Sequence, residues 1–146
     1  MRLETAQRLL TQVQEAAAAS SLRLSMVVVD AGGIEVASAR MDEAGWFTLG
    51  IARSKARTAV AFGRPSAELA AMRDAHPDVW RLADDQLPFA ATTLPGGILI
   101  REEGAVVGAI GVSGAAPEVD VAVAEHAVAT LAQAPSGVVP AGGTGR

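Results

Sequence analysis

The sequence predicts an α+β fold: a central antiparallel sheet flanked by helices, with elements in the order α-β-β-α-α-β-β-α. Three observations carry that expectation. Two apolar runs, at 22–30 and 105–112, each neighbour another extended run across a short glycine-bearing turn, the mark of a hairpin. Both runs turn apolar on successive residues, so those strands need cover on both faces. Helical spacing of apolar residues at both ends of the chain and in its middle supplies that cover.

Taken in order, Leu3, Ala6, Leu10, Val13 and Ala17 recur at helical spacing and predict a helix over 3–20, ended by Ser20-Ser21. Leu22, Leu24, Met26 and Val28 alternate with Arg23 and Ser25, which reads as a strand. Ala31-Gly32-Gly33 turns the chain back into a second strand over 34–41. After the polar loop 42–45, a helix over 46–62 buries Leu49, Ala52, Ala56 and Ala59, points Arg53 and Arg57 outward and leaves Lys55 on the margin of the stripe. Gly63-Arg64-Pro65 stops it, and Ser66 is expected to cap a short helix. His76-Pro77-Asp78 interrupts, and 79–86 adds a turn or two. Residues 87–97 are irregular. Strands over 98–101 and 105–112 form the second hairpin across Glu102-Glu103-Gly104. Pro117 opens the last helix, with Glu118 and Asp120 at its positive end and Val119, Val123, Ala127 and Leu131 on its buried face. One domain over 1–134 and a Gly/Pro-rich flexible tail over 135–146 are expected.

Half of the 146 residues are hydrophobic but only 3% are aromatic, so small side chains must dominate the helix–sheet contacts. A net charge of −4 argues against a nucleic-acid surface, which needs a basic stripe. The absence of cysteine excludes disulfides, thiolate metal sites and a cysteine nucleophile. No secretory leader and no membrane-length apolar run is visible, so a cytoplasmic protein is expected.

Several residues could carry chemistry. Asp30 ends a strand before two glycines: it is either a carboxylate at a pocket rim or turn chemistry, accepting backbone N–H bonds. Lys55, beside a stripe of alanines, either snorkels outward or faces inward to meet an anion. Arg40, Met41 and Asp42 close the first hairpin, and Trp46 and Phe47 follow, a set that could line a cationic and aromatic mouth for a planar acidic ligand. His126 reads as lying on the buried stripe of the last helix, His76 as exposed. Two histidines without a spaced carboxylate partner do not make a metal site. GAIGVSG at 108–114 has no following lysine and is no phosphate loop, but the helix start after Gly114 offers N–H groups to a carboxylate.

At this point the chain resembles the GlcG/HbpS family, which includes the C-terminal domain of PduO-type proteins. The segments that carry the resemblance are VVVDAGG (27–33), ARMDEAG (39–45), KARTAVAFGRP (55–65), PGG (95–97) and GAVVGAIGVSGAAPEVDVAVAE (104–125). The resemblance implies a profilin-like three-layer domain, commonly a dimer or larger ring, linked to haem binding or degradation, to corrinoid-associated domains and to small-acid metabolism. The matching positions are Asp30, Met41, Asp42, Lys55, Thr58, Gly96, Gly97, Ser113, Gly114 and Asp120. Two stretches depart from it: Glu43-Ala44-Gly45-Trp46-Phe47 replaces a loop of small residues, and 87–94 lacks a glycine-rich run. Both border the expected pocket and leave the ligand open.

Three readings follow. The first is a small-ligand-binding protein holding haem or another planar carboxylated molecule, with Lys55 or Arg40 pairing the carboxylates and Met41, Trp46, Thr58, Gly96, Gly97, Ser113 and Gly114 lining the site. The second is a cofactor-independent enzyme on a small oxygenated acid, with Lys55 orienting substrate and Asp30 or Asp42 moving a proton. The third is a homo-oligomeric assembly subunit without a ligand.

Overall fold

The computed structural model describes residues 1–134; the tail expected over 135–146 lies outside them. The described residues form five α-helices, one 3-10 turn and four strands. These are α1 (Leu3–Ala19), β1 (Ser25–Asp30), β2 (Glu35–Arg40), α2 (Thr48–Phe62), the 3-10 turn (Ser66–Glu68), α3 (Leu69–Ala75), α4 (Pro77–Gln86), β3 (Gly97–Glu102), β4 (Ala105–Ser113) and α5 (Pro117–Gln133). The strand order is β2-β1-β4-β3, and every pairing is antiparallel. The α+β order is the expected one, with α4 running ten residues where only a turn or two was foreseen.

Alternation along β1 decides what each face meets. Met26 and Val28 join Leu9, Val13, Ile110 and Val112 under α1 and α5, while Val27 and Val29 join Ala109 under Ala52, Ala56 and Ala59 of α2. Three layers result, two helices on one face and one on the other. The single helix comes very close. Gly111 and Gly97 are cross-strand partners, and a Cβ on them would meet the Ala52 carbonyl at 1.9 Å and the Lys55 carbonyl at 2.3 Å. Only glycine lets the backbone of α2 lie directly on this sheet.

Arg53 and Arg57, expected to point outward, instead grip the first hairpin. Arg53 Nε donates to Glu35 Oε2 at 2.6 Å and Arg57 Nε to the Gly33 carbonyl at 3.2 Å. The hydrogen bond from Arg53 holds the Glu35 carboxyl below its ordinary range, against the opposing effect of partial burial. Ser66 does not cap a helix. Its hydroxyl donates to the Leu94 carbonyl at 2.6 Å and accepts the Gly97 N–H at 3.0 Å, which pins the irregular stretch 87–96 to the start of β3.

Candidate functional site

Lys55 lies inside the buried stripe of α2, not on its margin. Its Nζ donates to the Val112 carbonyl at 2.8 Å and to Asp120 Oδ2 at 2.9 Å, with both side chains 3% exposed. The other Asp120 oxygen accepts the Ala115 N–H at 3.0 Å. Asp120 stands in the first turn of α5, where the helix field favours a carboxylate. Because α2 and α5 cover opposite faces, the pair ties the two outer layers together past the end of β4. Gly96, at φ +122°, closes over it, since a Cβ there would come within 2.6 Å of the Val112 carbonyl and 3.0 Å of Nζ.

The structure therefore gathers Lys55, Gly96, Gly97 and Ser113 around the end of β4 and adds Asp120 as the anion. The amine faces inward, but what it meets is the protein's own carboxylate. Just ahead of the helix start after Gly114, the Ala115 N–H is taken by Asp120. Gly114, at φ +129°, packs on the residues just before β1, where a Cβ would meet the Arg23 carbonyl at 2.5 Å. Thr58 is fully buried, and its hydroxyl accepts the Thr92 N–H at 3.1 Å, tethering the 87–96 stretch.

The remaining carboxylates stand elsewhere. Asp30 Oδ1 accepts the N–H groups of Gly32 and Ile34 at 2.9 and 3.0 Å, which is turn chemistry. It lies four residues along β1 from Met26, the partner of Val112, a run of about 13 Å. Asp42 is exposed. The arrangement of Lys55 with Asp30 or Asp42 that an acid–base enzyme needs is not assembled in the chain. His126 corrects a second expectation. The buried residues of α5 are Asp120, Val123, Ala124 and Ala127, so the stripe is centred about a quarter-turn past Val119 and His126 falls outside it, exposed. His76, exposed as expected, stands between α3 and α4.

An open groove of about 600 Å³ runs between the end of α1 and the end of β2. Its lining includes Ala18, Leu22, Arg23, Arg40, Met41 and Asp42. Met41 N–H donates to the Leu24 carbonyl at 2.9 Å, which holds it beside the start of β1. Arg40 Nη1 donates to the Ala44 carbonyl at 2.8 Å, and Arg23 pairs with Glu43, so the loop after β2 supplies an oxygen to each guanidinium. Trp46, 85% exposed, does not line this groove; it packs edge-on against Phe47 at a centroid distance of 5.7 Å.

Of these lining residues the sequence pointed to Arg40, Met41 and Asp42 and missed Arg23, Ala18 and Leu22. Arg23 carried a signal that misled: in the alternation of 22–28 it reads as the outward residue of a strand, whereas β1 begins only at Ser25 and Arg23 lies in the connection from α1 to it. Ala18 and Leu22 carried none, because α1 and β2 meet only in three dimensions.

Among the described residues no group of three or more His, Asp or Glu could hold a metal ion, and no helix is long and apolar enough to cross a membrane. A family model described as haem degrading protein, HbpS-like, matches residues 1–129. The chain belongs to the HbpS-like family. Solved relatives agree. The Klebsiella pneumoniae protein ORFY is 26% identical over 92% of each chain, with a TM-score of 0.83. A double mutant of Streptomyces reticuli HbpS is 32% identical over 90% of this chain and 86% of its own, with a TM-score of 0.79. The PduO C-terminal domain, solved as a haem complex, is 27% identical over 88% of this chain and 93% of its own, with a TM-score of 0.78. No curated protein matches the chain.

Proposed function

We propose that this HbpS-like chain is a small-ligand-binding protein that takes a planar carboxylated molecule, haem in the first instance, in the groove at Arg40. The observation that carries the reading is the convergence of two guanidinium groups, Arg23 and Arg40, on the carbon surface of Ala18, Leu22 and Met41 in a space of about 600 Å³. That volume lies within the range of small-molecule and cofactor sites. The family and the haem complex of the PduO C-terminal domain lend it support.

The residues fit haem. A porphyrin needs apolar contact, cations for two propionates and an axial donor for iron. Ala18 and Leu22 offer the first, Arg23 and Arg40 the second, and the Met41 thioether is of the class that ligates haem iron in cytochromes. Bound haem would supply redox and ligand-exchange chemistry; the part of the chain is to bind and orient. A guanidinium has five N–H donors, and the Ala44 carbonyl takes one of those on Arg40. Glu43 and the ligand's carboxylate would compete for Arg23.

The test is a haemin titration read at the Soret band. Saturation at a fixed stoichiometry is expected, with Arg40→Ala and Arg23→Ala each weakening binding roughly tenfold, the effect of one charge-assisted hydrogen bond. Absorbance indistinguishable from free haemin, or arginine variants that bind as the wild type does, would overturn the reading.

A further inference from the structure

We propose that Glu43 is a resident carboxylate that stands at Arg23 in the place of a ligand's second carboxylate, so that a dicarboxylate fills the groove at Arg40 by displacing it. The inference rests on the ligand reading of that groove and adds what the site gives up on binding.

The two guanidinium groups of the groove are answered differently. Arg40 gives one N–H to the Ala44 carbonyl, a neutral acceptor, and keeps its charge for a ligand. Arg23 is met by a full carboxylate, that of Glu43, which comes to it from the loop after β2 and does not itself line the groove. One cation is therefore open and the other already taken. A side-chain carboxylate and a ligand carboxylate offer a guanidinium the same pair of acceptor oxygens, so they compete for the same donors.

The backbone under Glu43 points the same way. The Ala44 N–H donates to the Met41 carbonyl at 3.1 Å, closing a four-residue turn with Glu43 in its third position. Its φ of +63° is left-handed, which a turn at that position asks of glycine or asparagine. A glutamate held there stores strain. Among the described residues Ser21, Glu43 and Glu103 are the non-glycine residues in that region, and of the three only Glu43 uses its side chain in an ion pair or hydrogen bond. The carboxylate is what the strained position keeps.

Exposure makes the pair exchangeable. The two side chains are 56% and 71% exposed, and water and side-chain entropy leave such a pair weakly held. A ligand held by one carboxylate at Arg40 brings its second to Arg23 at an effective concentration that a free anion lacks. Displacing Glu43 thus calls for two carboxylates on one body, and its return to Arg23 eases release.

Equilibrium binding of two probes tests the proposal: haemin, which carries two carboxylates, and 2-naphthoate, a planar molecule with one. Glu43→Gln should tighten haemin about tenfold, the effect of one charge-assisted hydrogen bond freed from competition, and move naphthoate less than about twofold. In an Arg23→Ala background Glu43→Gln should leave haemin affinity unchanged, because Glu43 then has no cation to hold. Both positions are exposed, and an unchanged circular dichroism spectrum will show that the variants fold. A gain that persists without Arg23, or one shared equally by naphthoate, would reduce Glu43 to a charge that repels any anion and overturn the proposal. Saturable haemin binding that Glu43→Gln moves less than about twofold overturns it while leaving the ligand reading intact. No saturable haemin binding by any of these proteins overturns the ligand reading, and this inference with it.

Discussion

Lys55 and Arg40 stand toward the same end of the sheet, where Arg40, Ser25 and Ser113 form one row across β2, β1 and β4, yet their surroundings differ in kind. Lys55 rises from the middle of α2 into the space between two layers, and its charge is met there by Asp120 and the Val112 carbonyl. Arg40 ends an edge strand, and its guanidinium opens on a groove. A buried ammonium must be answered by the protein itself, because nothing else can reach it at the moment of folding. A half-exposed guanidinium can exchange its partners. The first cation serves the architecture, and the second is the one on which a ligand site can be built.

The sharpest way to break this contrast is to remove one half of the buried pair. Lys55→Met or Asp120→Ala should destabilise the fold by about 3–5 kcal/mol, because each leaves an unanswered charge in the interior. The double variant Lys55→Met/Asp120→Leu should recover much of the loss, and urea unfolding of the three proteins reads the difference. Equal stability of single variants and wild type would mean that water reaches the pair. Next in size is Gly111→Ala, which drives a methyl against the Ala52 carbonyl and should cost about 3 kcal/mol by the same measurement.

Arg40→Ala is the complementary case. It should cost haemin affinity roughly tenfold while changing stability by under about 0.5 kcal/mol, the ordinary range for a surface position. A large stability loss with unchanged affinity would invert the roles assigned to the two cations. The smallest effect belongs to Glu35. Its pKa is lowered in the folded state, so the Arg53 pair contributes stability above the unfolded value near 4.5 and loses it as pH falls through the folded value beneath. Both side chains are about a third exposed, so solvent screening limits the contribution to about 0.5 kcal/mol. Glu35→Gln should remove that much at neutral pH and flatten the fall in stability below pH 4.5, a change that thermal unfolding across pH can resolve.

Much of the fold was legible because its signals are local. Period-two alternation in 22–28, the glycine turns at 32–33 and 104, Pro117 with Glu118 and Asp120 behind it, and alanines at helical spacing in α2 each depend on a few neighbouring residues. The candidate site was legible only in part. Arg40, Met41 and Asp42 follow one another in sequence and could be read as a group, whereas Arg23 was mistaken for the outward face of a strand and Ala18 belongs to another helix. His126 went astray by a small angle, since Val119 marks the border of the buried stripe and a residue nearly two turns on falls just beyond that border.

The sequence by itself determined which segments would be strands and helices, that the sheet would be covered on both faces, and that an amine beside a run of alanines would have to reach water or find an anion. Only the tertiary structure decided between the two, and which anion. A lysine on α2 and an aspartate on α5 are 65 residues apart along the chain, and nothing local in either helix specifies the other. They meet because two glycines let α2 settle onto one face while α5 closes the opposite one, and that packing leaves the two charged ends side by side past the last residues of β4, away from water.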